Sequence, residues 1–127
     1  MLKKTVFYLV LAALLALALS ACGSGTPEAS PTPAGDAGLG KEAYMTTCIA
    51  CHGPNAEGMP NLGKDLTTSE FVRSKTNQEL VEFFKVGRPA SDPLNTTGVD
   101  MPPRGGNPAL TDEDLLNIAA FIRSIQK

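Results

Sequence analysis

Tryptophan is missing from this 127-residue sequence, histidine occurs once, cysteine three times, and the aromatic side chains number two Tyr and five Phe. Cys22 lies in a leader-like stretch, which leaves Cys48, Cys51 and His52 in the folded part, one ligand short of a four-coordinate zinc centre. Basic residues are also few. Without Lys3 and Lys4 the chain carries 9 basic against 13 acidic residues, about −4, a balance that excludes nucleic acid as the partner. No internal repeat is visible and no apolar/polar alternation persists over more than a few residues, which excludes repeat architectures and leaves strands without a signal. The strand-helix-strand pattern that would accompany a thioredoxin-like redox pair is absent too.

The apolar residues are concentrated at the start. Lys3 and Lys4 precede an uncharged run from Thr5 to Leu19, the layout of an export signal with a basic start and an apolar middle. Leu19-Ser20-Ala21-Cys22 resembles the lipobox of bacterial lipoproteins, which implies cleavage before Cys22 and lipidation of its thiol. The other reading is an uncleaved membrane helix, since about 17 apolar residues is the lower limit for a span. Either tethers the chain to a membrane on the extracytoplasmic side. Residues 1–21 are then the signal peptide and 22–37 a lipidated cysteine followed by a Gly/Ser/Pro-rich tether with nothing to bury. About 14 such residues span on the order of 20 Å.

Residues 38–127 form the folded domain, and its signals are helical. Thr76-Asn77-Gln78-Glu79 matches a capping box ahead of Leu80, Val81, Phe83 and Phe84, with Gly87 as the stop. Thr111-Asp112-Glu113-Asp114 is a similar start before Leu115, Ile118, Ala119 and Ile122, for a helix ending near Gln126. A third helix is expected from Leu39 to about Cys48. The segments 53–63 and 87–108 are rich in Pro and Gly and read as loops. The fold class is all-α, with loops long enough for so small a domain that they are expected to wrap something.

Cys48-Ile49-Ala50-Cys51-His52 is a C-x-x-C-H sequence, the pattern of covalent haem c attachment. Its spacing lets two thiols add to the two vinyl groups of one porphyrin while the adjacent histidine lies under the iron. A Cys48–Cys51 disulfide would leave His52 and the two wrapping loops unexplained. As the only histidine, His52 excludes a second imidazole at the sixth position, so the candidates there are the methionines or nothing. Met45 falls on the helix that carries the motif, on the side of His52, and Met59 follows too closely in a Gly-Met-Pro turn. Met101 in the second loop is the expected ligand.

These features, with Gly40 and Tyr44 spaced by fours ahead of Cys48, the Met59-Pro60-Asn61-Leu62 segment, the Met101-Pro102 loop and an aromatic in the last helix, resemble the class I c-type cytochromes. The resemblance covers about Leu39 to Ile125. It implies that the first and last helices cross with Gly40 admitting Phe121, that the Pro60 carbonyl accepts a hydrogen bond from the proximal imidazole, and that Leu62 packs on the haem. Arg88 is a candidate partner for a haem propionate, and Lys64, Lys75, Lys85, Arg88 and Arg104 are candidates for steering a negatively charged partner. The expected function is one-electron transfer between larger redox proteins, respiratory or photosynthetic, with no small-molecule substrate. Two alternatives are a stationary mono-haem subunit of a quinol-oxidising complex, resembling that of alternative complex III, and a small haem peroxidase with an open sixth position.

Overall fold

The computed structural model describes residues 34–127. The signal segment, Cys22 and the tether as far as residue 33 lie outside the described residues. Helix α1, Ala37–Thr47, starts two residues before its expected position because Asp36 caps it, accepting the N–H groups of Gly38 at 2.7 Å and Leu39 at 3.0 Å. The short helix α2, Ile49–His52, continues almost directly from it and stops at Gly53, whose φ of 77° favours glycine. Ser69 caps a four-residue helix α3, Glu70–Arg73, which the sequence pattern did not reveal. Helix α4 is Asn77–Val86 and helix α5 is Asp112–Ser124, each opened by a complete capping box, with Asp114 serving at Thr111 as well as Glu79 does at Thr76. A tight turn, Pro103–Gly106, lies between them. The described residues are all-α, joined only by isolated bridges between Met59 and Gly63 and between Arg88 and Met101. None of their helices is long and apolar enough to cross a membrane.

The framework is the crossing of α1 on α5. A Cβ on Gly40 would lie 1.9 Å from the carbonyl oxygen of Asn117, so the backbones touch there and only glycine fits. The group admitted by Gly40 is thus the Asn117–Ile118 backbone. Phe121 instead stacks on Tyr44 one turn further along, with ring centres 5.2 Å apart. Tyr44, Leu80, Leu115, Ile118 and Ile122 are fully buried around this crossing. The Tyr44 hydroxyl donates to the Gly53 carbonyl at 2.7 Å, fixing the chain immediately after His52.

Two ends are tied down. The domain begins earlier than expected, since the Asp36 N–H donates to the Asn117 side chain at 2.7 Å and Asn77 donates to the Ala34 carbonyl at 3.1 Å. Sequence composition assigned these residues to the tether, but a cap and two long-range hydrogen bonds hold them on the domain. At the other end α5 stops at Ser124, short of Gln126, because the chain turns so that Lys127 N–H reaches Thr67 and the Gln126 amide reaches Leu66. Arg123 binds α5 to the α3–α4 link, donating to Val72 at 2.7 Å, to the Asn77 side chain at 3.1 Å and to Lys75.

Candidate functional site

Helices α1 and α2 place Cys48, Cys51 and His52 on one wall of a cavity of about 810 Å³. Protein interiors are close-packed, so a space of this size walled by Leu66, Leu80, Phe84, Leu115, Ile118 and Ile122 marks the seat of a large, mainly apolar ligand. Cys48 and Cys51 are not joined in a disulfide. Burial, reinforced by the neighbouring Cys51, pushes the Cys48 thiol up to about 11, while a backbone hydrogen bond opposes the shift.

His52 is oriented by a backbone carbonyl. Its Nδ1 lies 2.8 Å from Lys64 O, so Nδ1 carries the proton and Nε2 keeps its lone pair. Burial lowers the pKa of the ring, partly offset by the Lys64 carbonyl, which keeps it neutral as a metal ligand must be. This differs from the expected Pro60 acceptor. Met59 and Gly63 pair across a tight turn, which leaves Pro60 exposed at its corner and outside the cavity wall. Gly63 then returns so close to Cys51 that a Cβ would collide with the Cys51 carbonyl, and the next carbonyl, that of Lys64, meets the imidazole. Leu62 does line the cavity.

Of the methionines among the described residues, Met101 alone lines the cavity; Met45 and Met59 are 40% and 42% exposed and lie outside it. Met101 is held by its backbone, which exchanges two hydrogen bonds of 2.8 Å with Arg88, and Gly87 permits the approach because a Cβ there would strike the Met101 carbonyl. Arg88 also lines the cavity. Its guanidinium lies 4.7 Å from the centre of Phe71 and 4.9 Å from that of Phe83. Nε is buried and has no hydrogen-bond acceptor, although Asp92 at 3.4 Å is close enough for charge attraction without the geometry of a hydrogen bond. An unsatisfied cationic donor on an apolar wall suits a ligand that brings its own carboxylate.

The two Phe partners of Arg88, and the walls supplied by Leu94 and Val99, were not found by sequence reasoning. Phe71 and Phe83 carried no local signal beyond apolar spacing, and Leu94 and Val99 sit in a loop whose path no periodicity describes. The five candidate steering cations also look different in three dimensions. Lys85 and Arg104 both bind Asp112, at 3.0 and 2.7 Å, Lys75 binds Glu79 at 3.7 Å, and Arg88 faces Asp92. Among the described residues Lys64 is the one of the five outside an ion pair.

A C-x-x-C-H pair of thiols, a neutral imidazole and a soft thioether around one apolar cavity fit a covalently attached haem. The chain matches the family Cytochrome c over residues 37–126. It belongs to the cytochrome c family. It is 30% identical over 87 residues to cytochrome c-555 of Chlorobaculum thiosulfatiphilum, a match covering 68% of this chain and 93% of that protein. Cytochrome c-551 of Bacillus subtilis is 34% identical over 94 residues, covering 68% of this chain and 78% of its own. The Cbb3-type cytochrome c oxidase subunit FixP of a Bradyrhizobium strain is 37% identical over 60 residues, 46% of this chain but only 21% of FixP. No solved structure matches the chain significantly. As a cytochrome c, the protein carries one covalent haem c and serves as an electron carrier.

Proposed function

We propose that this cytochrome c is a lipid-anchored shuttle that moves single electrons between larger redox proteins on the extracytoplasmic side of a bacterial membrane. In this reading Cys48 and Cys51 form the two thioethers, His52 and Met101 are the axial iron ligands, and Arg88 holds a haem propionate. The observation that carries it is that His52 and Met101, 49 positions apart, converge on the same cavity that the thiol pair also borders.

The bound haem supplies a one-electron iron couple. The protein residues set how that couple behaves. His52 gives Nε2 as a ligand while its Nδ1–H donates to Lys64, which fixes the ring plane and raises its basicity. Met101 contributes a soft thioether that favours the ferrous state, and the aliphatic wall of Leu80, Leu115 and Ile118 penalises the extra positive charge of the ferric state. Both effects raise the reduction potential. With both axial positions filled from the chain, no position remains for a substrate, which makes an enzymatic role such as a peroxidase unsupported.

Electrons then enter and leave where the cavity meets solvent, beside Leu94 and Val99, which are 63% and 38% exposed. Because Arg88 and Arg104, two of the three cations that line the cavity, are already paired, docking there depends on apolar contact more than on steering. The anchor at Cys22 keeps the domain near its partners. A second reading, a stationary mono-haem subunit of a quinol-oxidising or oxidase complex, draws support from the FixP likeness, since that relative is by name an oxidase subunit.

Intact mass tests the core of the proposal. The protein purified from cells that mature c-type cytochromes should carry one added tetrapyrrole that survives denaturation, and Cys48→Ala with Cys51→Ala should abolish it. Wild type without the added mass would refute the haem assignment. Copurification of a stoichiometric membrane complex would favour the stationary reading over the shuttle.

A further inference from the structure

The segment between Arg88 and Met101, residues 89–100, runs along the cavity wall without forming a helix or strand. A loop of that length is ordered only if something closes it, because each free residue carries conformational entropy that must be offset. The Arg88–Met101 backbone pair closes its base. Above that pair two side chains bridge the limbs: Asp100 accepts the Ala90 N–H, and Asn95 spans both limbs with its amide.

Asn95 uses both amide hydrogens on opposite limbs. Its Nδ2 donates to the Val99 carbonyl at 2.8 Å and to the Pro89 carbonyl at 3.1 Å, so the residue following Arg88 and the residue two before Met101 are tied to the same group. Its Oδ1 faces the other way and accepts the N–H groups of Thr97 and Gly98, each at 3.0 Å, and the Thr97 hydroxyl at 3.1 Å. The carbonyl end therefore shapes a local turn, and the amide end clips the neck of the loop. The two jobs are chemically separable. Aspartate preserves the acceptor and loses both donors, while leucine, of similar shape, loses everything.

We propose that Asn95 is a positioning residue for Met101: its amide clips the two limbs of the 89–100 loop so that the thioether stays on the iron in the oxidised protein. Asn95 itself lines the cavity, and its amide acts on Met101 through the Pro89 and Val99 carbonyls and the Arg88–Met101 pair. The effect is largest in the ferric state, because the thioether is the softer base and the ferric ion the harder acid. The inference rests on the assignment of Met101 as axial ligand.

The test uses full-length, haem-loaded protein in three forms, wild type, Asn95→Leu and Asn95→Asp, with Ser91→Ala as a control on the same loop. Cyanide reaches the ferric iron only when Met101 lets go, so its binding rate reports how often the ligand opens. Forfeiting the two neck hydrogen bonds should raise that rate roughly tenfold in both Asn95 variants. The weak long-wavelength band of the iron–thioether bond should also fade at lower temperature in both, with the ferrous spectrum and helix content unchanged. Ser91→Ala should behave as wild type. If Asn95→Asp binds cyanide at the wild-type rate, the Asn95 amide is not what positions Met101 and the inference is overturned, because the surviving turn and the Asp100–Ala90 bridge suffice. If the wild type shows no iron–thioether band at all, the ligand assignment fails and the inference with it.

Discussion

A methyl group added at Gly40 should force the two terminal helices apart and weaken the whole domain. Its Cβ would sit 1.9 Å from the Asn117 carbonyl oxygen and 2.9 Å from the Ile118 nitrogen, whereas ordinary contact begins near 3.4 Å, so α1 and α5 must separate by the difference, about 1.5 Å. The obstacle is helix backbone, which cannot rotate away as a side chain could. A shift of that size opens the packing of Tyr44 on Phe121 and strains the Asp36–Asn117 hydrogen bond together. Overpacking in a rigid core costs about 1–3 kcal/mol and more where backbone must move, so about 3 kcal/mol is expected. For a domain of this size that corresponds to a fall in Tm of roughly 12–24 °C. Thermal unfolding of the oxidised holoprotein followed by circular dichroism reads it directly, with the exposed neighbour Lys41→Ala as the comparison, expected within about 0.5 kcal/mol of wild type. A Gly40→Ala protein melting within about 4 °C of wild type would show that the α1–α5 contact is not tight, and the argument for the crossing would fail.

Replacing Arg88 with Leu removes a half-buried cation from the cavity wall, so the reduction potential should fall by roughly 20–60 mV in a voltammetric titration; an unchanged potential would mean that Arg88 is purely structural. The rate of electron exchange with a partner should change less than about fivefold between low and high salt, against the ten- to thousandfold expected of charge-steered pairs. Asp112→Asn should bring part of the salt dependence back, because Arg104 loses its acidic partner while Lys85 keeps Glu82. Acid should do the same to wild type: hydrogen bonds from Arg104 and Lys85 hold the Asp112 carboxyl below its ordinary range, so the masking persists through neutral pH and is lost as pH falls below that range. Stopped-flow reduction at two salt concentrations and two pH values checks all three statements, and a steep salt slope in wild type at neutral pH would contradict them. Cys22→Ser should release the holoprotein from membranes into the soluble fraction, and retention there would leave an uncleaved helix as the anchor.

Features written in neighbouring residues were legible, and features written by the return of distant segments were not. Both capping boxes lie within four residues and appear as read. The C-x-x-C-H motif is as local, and it announced the haem by itself. Asp36 was missed as a cap because its surroundings are tether-like, and only contacts with Asn117, far along the chain, show that the domain starts there. The acceptor for His52 was placed one turn too early, at Pro60, because the exact corner of the Met59–Gly63 turn depends on Gly63 resting on Cys51. The rim charges looked free in sequence. Asp112, 27 residues beyond Lys85, pairs with Lys85 and Arg104 only once α5 is folded beside α4. Arg88 was singled out for its charge, while the aromatic pair that grips it comes from α3 and α4, and α3 carried too few residues to register as a helix.

The axial pair is tested most directly by the absorbance of the oxidised protein in wild type, Met59→Ala and Met101→Ala. The long-wavelength band of an iron–thioether bond should be present in wild type and in Met59→Ala and missing from Met101→Ala, where cyanide and carbon monoxide should bind rapidly. A band that survives Met101→Ala, or disappears in Met59→Ala, would contradict the assignment of Met101 as the ligand facing His52.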